Sequence, residues 1–180
     1  DARFERFLDY VAQGLAPGGG LYVPVSLPRV DAGALAREST LAGLASNLLA
    51  PFAAGDAMED FLPAITQDAF SFPAPLVDVH GAAGPLSVLE LFHGPTAAFK
   101  DFGARFLAAT LERVPRDDPR RLTILVATSG DTGSSAEHAM LGRKGVAVFM
   151  LSPRGRMSPF QQAQMFSLMD ENIHNIAVEG

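Results

Sequence analysis

Three short apolar runs, Leu122–Ala127, Val146–Leu151 and Ile173–Val178, are spaced as the strands of a β-α-β-α-β unit, and no other feature of the 180-residue chain narrows its fold as much. Each run is mostly apolar rather than alternating, the pattern of a parallel strand covered on both faces. Between the first two, Ala136, Ala139, Met140 and Arg143 stand at helical offsets. Between the second and third, Ser158 is placed as an N-cap, Pro159 at the first helical position and Gln161 where it closes a capping box. Right-handed crossovers should join the strands. The expected class is α/β, with a doubly wound parallel-sheet unit.

Ligands of open α/β sheets bind beyond the carboxyl ends of the strands. The turn Ala127-Thr-Ser-Gly-Asp-Thr-Gly-Ser-Ser135 occupies that place and opens a helix. Gly130 and Gly133 let backbone N–H groups converge, and Thr128, Ser129, Thr132, Ser134 and Ser135 add hydroxyls, a combination that suits a phosphate or carboxylate. The plainer reading is that Asp131 or Ser129 caps the helix. After the second strand, Pro153-Arg-Gly-Arg-Met157 brings Arg154 and Arg156 toward the same edge. They are either phosphate clamps working through paired N–H donors or ordinary loop charges.

Upstream, His93-Gly-Pro-Thr-Ala-Ala-Phe-Lys-Asp-Phe-Gly103 delivers Lys100 from a Gly-Pro turn onto the start of an amphipathic helix. Phe102, Phe106, Leu107, Leu111 and Val114 of that helix should face a core, and Pro115 should end it. Helix starts carry positive partial charge and unpaired N–H groups, so a part-buried amine there is expected to lose its proton and become a nucleophile. Capture of a carbonyl, most often that of pyridoxal phosphate (PLP), is the chemistry that uses such an amine. Against this stands the common case of a lysine that is only a solvated charge.

Residues 1–75 read as a mainly helical region and residues 76–180 as an α/β region. Phe4, Phe7, Leu8 and Val11 make one helical stripe and Leu41, Leu44, Ala45, Leu48 and Leu49 another, both better suited to a core than to a cofactor. Pro17-Gly-Gly-Gly20 breaks the first helix, and a short extended piece should follow. The Phe72–Pro75 connector leads to two expected strands, Leu76–Val79 and Leu86–Phe92.

The formal net charge of −6, with no unbroken basic cluster, argues against nucleic acid as a partner. There is no cysteine, hence no disulfide, thiolate metal site or thiol nucleophile. The histidines His80, His93, His138 and His174 lack metal-ligand spacing. No apolar run reaches membrane-spanning length and no signal-peptide pattern opens the chain. A cytoplasmic enzyme of small molecules fits these features best, or an organellar one relieved of its transit segment.

The run from His93 to Arg105 resembles the PLP-lysine signature of threonine synthase, and Thr128-Ser-Gly-Asp-Thr-Gly133 resembles that family's substrate-side loop. Gly19-Gly-Leu-Tyr-Val-Pro24, Phe72-Pro-Ala-Pro75, Pro153 to Gln161, Asn172-Ile-His174 and Ala177 to Gly180 follow the same family in the same order. The resemblance implies a fold-type II PLP enzyme that converts O-phospho-L-homoserine and water to L-threonine and phosphate. It implies Lys100 as catalytic and cofactor-binding residue, with Phe99 beside the cofactor ring. Thr128, Ser129, Gly130, Asp131, Thr132, Arg154 and Arg156 would bind substrate, with no metal. In the family, the cradle for the cofactor phosphate and the partner of the pyridine nitrogen lie downstream of Gly180, and the chain opens on Asp1, so an incomplete chain, inactive alone, is expected. Two alternatives remain: a serine or threonine dehydratase, whose lysine normally stands in a Ser-Phe-Lys context rather than Ala98-Phe-Lys100, and a non-catalytic relative acting as a binding module. Oligomeric state is not legible.

Overall fold

Thr40, itself in an extended backbone conformation, starts the first long helix by accepting a hydrogen bond from the Gly43 N–H at 3.1 Å. The computed structural model describes residues 11, 14–81, 84–113, 121–128 and 130–179. The stripe residues Phe4, Phe7 and Leu8, the helix end at Val114 and Pro115, and Ser129 therefore lie outside the described residues. The expected extended piece after Gly20 joins no described ladder, and Leu21 and Val23 are 76% and 78% exposed. A single turn, α1 (Ala32–Leu35), follows, with the Asp31 side chain accepting from the Gly33 N–H at 2.8 Å.

Helices α2 (Leu41–Ala53) and α3 (Leu62–Ala69), with a 3-10 turn at Glu59–Phe61 between them, bury Ala53, Met58, Leu62 and Ile65 in one cluster. The Leu41 to Leu49 stripe is only half-buried, and Leu48 is exposed. Of the stripe, Leu49 packs against this cluster, and Ala53 is buried within it. Strands β1 (Leu76–Asp78) and β2 (Ser87–Leu89) pair antiparallel, Val77 opposite Val88, as an exposed hairpin shorter than its apolar runs.

Helix α4 (Lys100–Arg113) joins the two halves of the core. Ala109 packs in the cluster of α2 and α3, while its neighbour Ala108 packs with Ala139, Met140, Val148 and Met150 in the second cluster. Small side chains at the crossing let three helices approach closely. Phe102, Phe106 and Leu111, expected to be the buried face, are half-buried, and Leu107 is exposed.

Polar contacts reinforce this crossing. Arg105 donates to the carbonyls of Ala69 (2.8 Å) and Asp68 (2.6 Å), while Asp68 accepts from Arg113 at 2.6 Å and Arg143 at 3.0 Å. Burial pushes the Asp68 carboxyl up, but the two guanidinium groups outweigh it and hold it below the ordinary carboxylate value.

Strands β3 (Leu122–Ala127), β4 (Val146–Pro153) and β5 (Ile173–Val178) form a parallel sheet in the order β3-β4-β5, with Leu122 opposite Val146 and Val148 opposite Ile173. The crossovers are α5 (Asp131–Met140) and α6 (Pro159–Phe166). Ser158 and Gln161 form the expected capping box, the Gln161 N–H donating to Ser158 Oγ and the Ser158 N–H to Gln161 Oε1, both at 3.2 Å. Strand order advances the same way at each step, so crossovers of one hand place both helices on one face. That face carries Val146, Val148 and Met150, all buried. On β3 the opposite side chains of Thr123 and Leu125 are open, Leu125 at 68% exposure, so burial of both faces does not extend to this strand within the described residues.

Candidate active site

All three parallel strands end on one edge, at Ala127, Pro153 and Val178. The Thr128 N–H donates to the Leu151 carbonyl at 3.0 Å, which carries the ladder one residue past β3 before the chain turns. Gly130 is the N-cap of α5, and its N–H lies 3.3 Å from Thr128 Oγ1. Asp131 is the first helical residue, with its carboxylate accepting from Gln161 Nε2 at 3.4 Å, so it faces α6. Thr132 is exposed beside it. Gly133 is required by packing: a Cβ there would stand 2.5 Å from Thr128 Cγ2 and 3.0 Å from Met165 Cε. The turn thus presents the start of a helix and the exposed Thr132 hydroxyl at the sheet edge, groups able to accept an anion, with the Asp131 carboxylate turned toward α6.

The lysine loop is built around a buried carboxylate. Asp101, 1% exposed, accepts from the Thr96 N–H at 2.9 Å and from the Thr96 hydroxyl at 2.7 Å. Between them Ala97 holds a left-handed φ of 57°, a costly conformation for a residue with a Cβ. Gly94 lies so close that a Cβ there would run into the Asp101 carboxylate. Lys100 follows as the first residue of α4, half-buried, with Nζ 4.9 Å from the centre of the Phe99 ring. Phe99 is 61% exposed, leaving an open aromatic face beside the amine.

Two contacts bring the lysine loop to the sheet edge. Thr96 Oγ1 lies 3.0 Å from Ser135 Oγ in the first half of α5, and Gln164 Nε2 of α6 donates to the Thr96 carbonyl at 3.2 Å. Lys100 and the turn at Thr128 to Gly133 therefore belong to one assembly. The amine, the open ring of Phe99 and the anion-accepting turn fit a flat aldehyde cofactor with a nearby anionic substrate.

Arg154 and Arg156 follow β4 on the same edge, and both are exposed. Arg154 is turned toward the end of β5, where it lies 3.4 Å from Glu179. Sequence reasoning passed over Thr96, Asp101 and Gln164, although the first two stand inside the lysine signature; their short polar side chains next to a Gly-Pro turn were the available signal. It also passed over Glu137, which is fully buried on α5. His93 is held by Glu90 at 2.6 Å on the approach to the loop. Among the described residues, no group of three or more His, Asp or Glu is placed to hold a metal, and no helix is long and apolar enough to cross a membrane.

Parallel sheet, crossover helices and a lysine-bearing helix start at the strand ends define the class: an α/β protein of the fold-type II kind. Solved structures of that architecture superpose closely, including a threonine synthase from yeast (TM-score 0.85, 35% identity, all of this chain and 39% of that one). A PLP-bound threonine synthase from Brucella melitensis matches with a TM-score of 0.86 at 38% identity, over 97% of this chain and 39% of that one. Residues 2–70 match the model of the threonine synthase N terminus. Threonine synthase of Corynebacterium glutamicum is 44% identical over 97% of this chain and 38% of its own length, and that of Escherichia coli is 39% identical over 97% and 40%. The chain belongs to the threonine synthase family and corresponds to its N-terminal portion. It spans about two fifths of the length of these relatives.

Proposed function

We propose that the protein is a PLP-dependent threonine synthase, a cytoplasmic lyase that converts O-phospho-L-homoserine and water to L-threonine and phosphate. The observation that carries this reading is the placement of Lys100 at a helix start that the Thr96 to Ser135 contact holds beside the anion-accepting turn. Identity of 36–44% to threonine synthases over 97% of the chain supports it.

PLP, when bound, supplies an electron sink for charge at the substrate carbon. The Lys100 amine would anchor the cofactor covalently and, once displaced by the substrate amine, would be free to take and return protons at the α and β carbons. Phe99 would flank the ring. Thr128, Ser129, Gly130, Asp131 and Thr132 would hold the anionic groups of the substrate through hydroxyls and leading helix N–H groups, with Arg154 and Arg156 as further phosphate contacts. Neither metal nor nucleic acid has a part in this reading. We place the domain boundary near residue 75, with a helical region before it and the PLP-binding α/β region after it, sharing a core through α4. Residues 1–180 alone would be inactive.

Borohydride reduction of the full-length protein loaded with PLP tests the reading. Pyridoxyl should be found on Lys100, and phosphate should be released from O-phosphohomoserine. Label on Lys144 instead, or turnover of threonine without turnover of O-phosphohomoserine, overturns it.

A further inference from the structure

We infer that Thr96, Asp101 and Ser135 form a positioning clamp that fixes Lys100 relative to the anion-accepting turn; the inference rests on the lysine chemistry proposed above. The donor order follows from proton count. Asp101 accepts both Thr96 bonds, so the single hydroxyl proton of Thr96 is spent on Asp101 Oδ1 at 2.7 Å. Ser135 must then donate to Thr96 Oγ1 across the 3.0 Å contact. The chain runs Ser135 to Thr96 to Asp101, and all three side chains are at most 5% exposed. Burial shields these bonds from bulk water, and each removal leaves a buried partner unmatched.

The geometry makes the clamp a ruler for the amine. Asp101 is the residue next to Lys100, so whatever fixes one fixes the backbone of the other. Ser135 lies two residues past Gly133, where a Cβ would meet Thr128, so its backbone is tied to the turn. The left-handed Ala97 and the absent side chain at Gly94 are what let Thr96 fold back onto Asp101. Closing the loop onto its own helix would need only the two Thr96 bonds to Asp101. The hydroxyl contact to a different helix is the part that loop closure does not explain.

The test uses the full-length protein loaded with PLP and the variants Ser135→Ala, Thr96→Val, their double and Thr96→Ser. Ser135→Ala and Thr96→Val should each lower kcat on O-phosphohomoserine on the order of tenfold with KM changed less than about twofold, because displacement of the amine harms the reacting geometry more than binding. The double variant should be no worse than Thr96→Val, since both remove the same bond. Thr96→Ser should restore the wild-type rate. Amide hydrogen exchange at residues 94–99 should quicken in Ser135→Ala even without substrate. Unchanged kcat and unchanged exchange in Ser135→Ala, or a double variant whose losses multiply, would overturn the clamp. If the wild-type protein fails to attach PLP at Lys100, the enzymatic reading falls, and the exchange measurement alone decides whether the two loops are coupled.

Discussion

Glu137 has no exposed surface, and neither of its carboxyl oxygens finds a hydrogen-bond partner among the described residues. Burial pushes its carboxyl up to about 7 from 4.5, the larger of two opposed effects, since the nearby Asn175 amide pulls the other way but more weakly. A carboxyl raised on folding favours the folded state fully below its unfolded value, and that contribution is lost as pH rises through the folded one. Wild-type stability should therefore fall between pH 4.5 and about 7, by on the order of 3 kcal/mol at most. Glu137→Gln, which cannot ionise, should flatten that part of the profile and be the more stable form at pH 8. Urea melts of both proteins across this range check it, and parallel profiles would show that Glu137 keeps its charge. No local signal marks this residue, because a glutamate between Ala136 and His138 reads as a solvated helix position. Lys100 was legible for the opposite reason: its Gly-Pro turn is a local signal. Its partner Ser135 stands 39 positions from Thr96, and only the fold brings them together.

Among the elements, the strands were the most legible, since β3 and β5 fall within the apolar runs that announce them and β4 runs two residues further, to Pro153. Helix α4 was misjudged on its buried face. Hydrophobicity ranks side chains by size, and it selects Phe102, Phe106 and Leu107; a close crossing of three helices selects Ala108 and Ala109, each 0% exposed, because nothing larger fits. Ala109→Leu should consequently cost about 1–3 kcal/mol through overpacking, whereas Leu107→Ala, at the exposed flank, should cost less than about 1 kcal/mol. Chemical denaturation of the two variants compares them directly, and an equal loss would mean that the α3 and α4 contact yields to a larger side chain. The hairpin of β1 and β2 was read longer than it is, since all six of its residues are exposed and a two-stranded ladder with no covered face is held by little beyond its own hydrogen bonds.

For the whole molecule, the fold class was legible from the three-strand rhythm and the family from ordered motifs, while the boundary proposed near residue 75 cuts across a core that α4 shares with α2 and α3. The 180 residues expressed alone should release no phosphate from O-phosphohomoserine even with excess PLP, because a covalent link orients only one atom of the cofactor. With Leu125 68% and Ile176 41% exposed on the sheet, the isolated piece should also self-associate. Phosphate assay and light scattering on the purified chain read both outcomes, and a monomer turning over at the full-length rate would refute them. The shared position of α4 has a mechanical consequence. Lys100 lies eight residues from Ala108, about 12 Å along the axis at the usual helical rise. A tilt of roughly 5° about that crossing swings the amine by about 1 Å, a displacement of the size that can cost catalysis on the order of a hundredfold. The packing of α2 and α3 thus acts as the bearing of a lever whose tip is the nitrogen proposed to hold the cofactor.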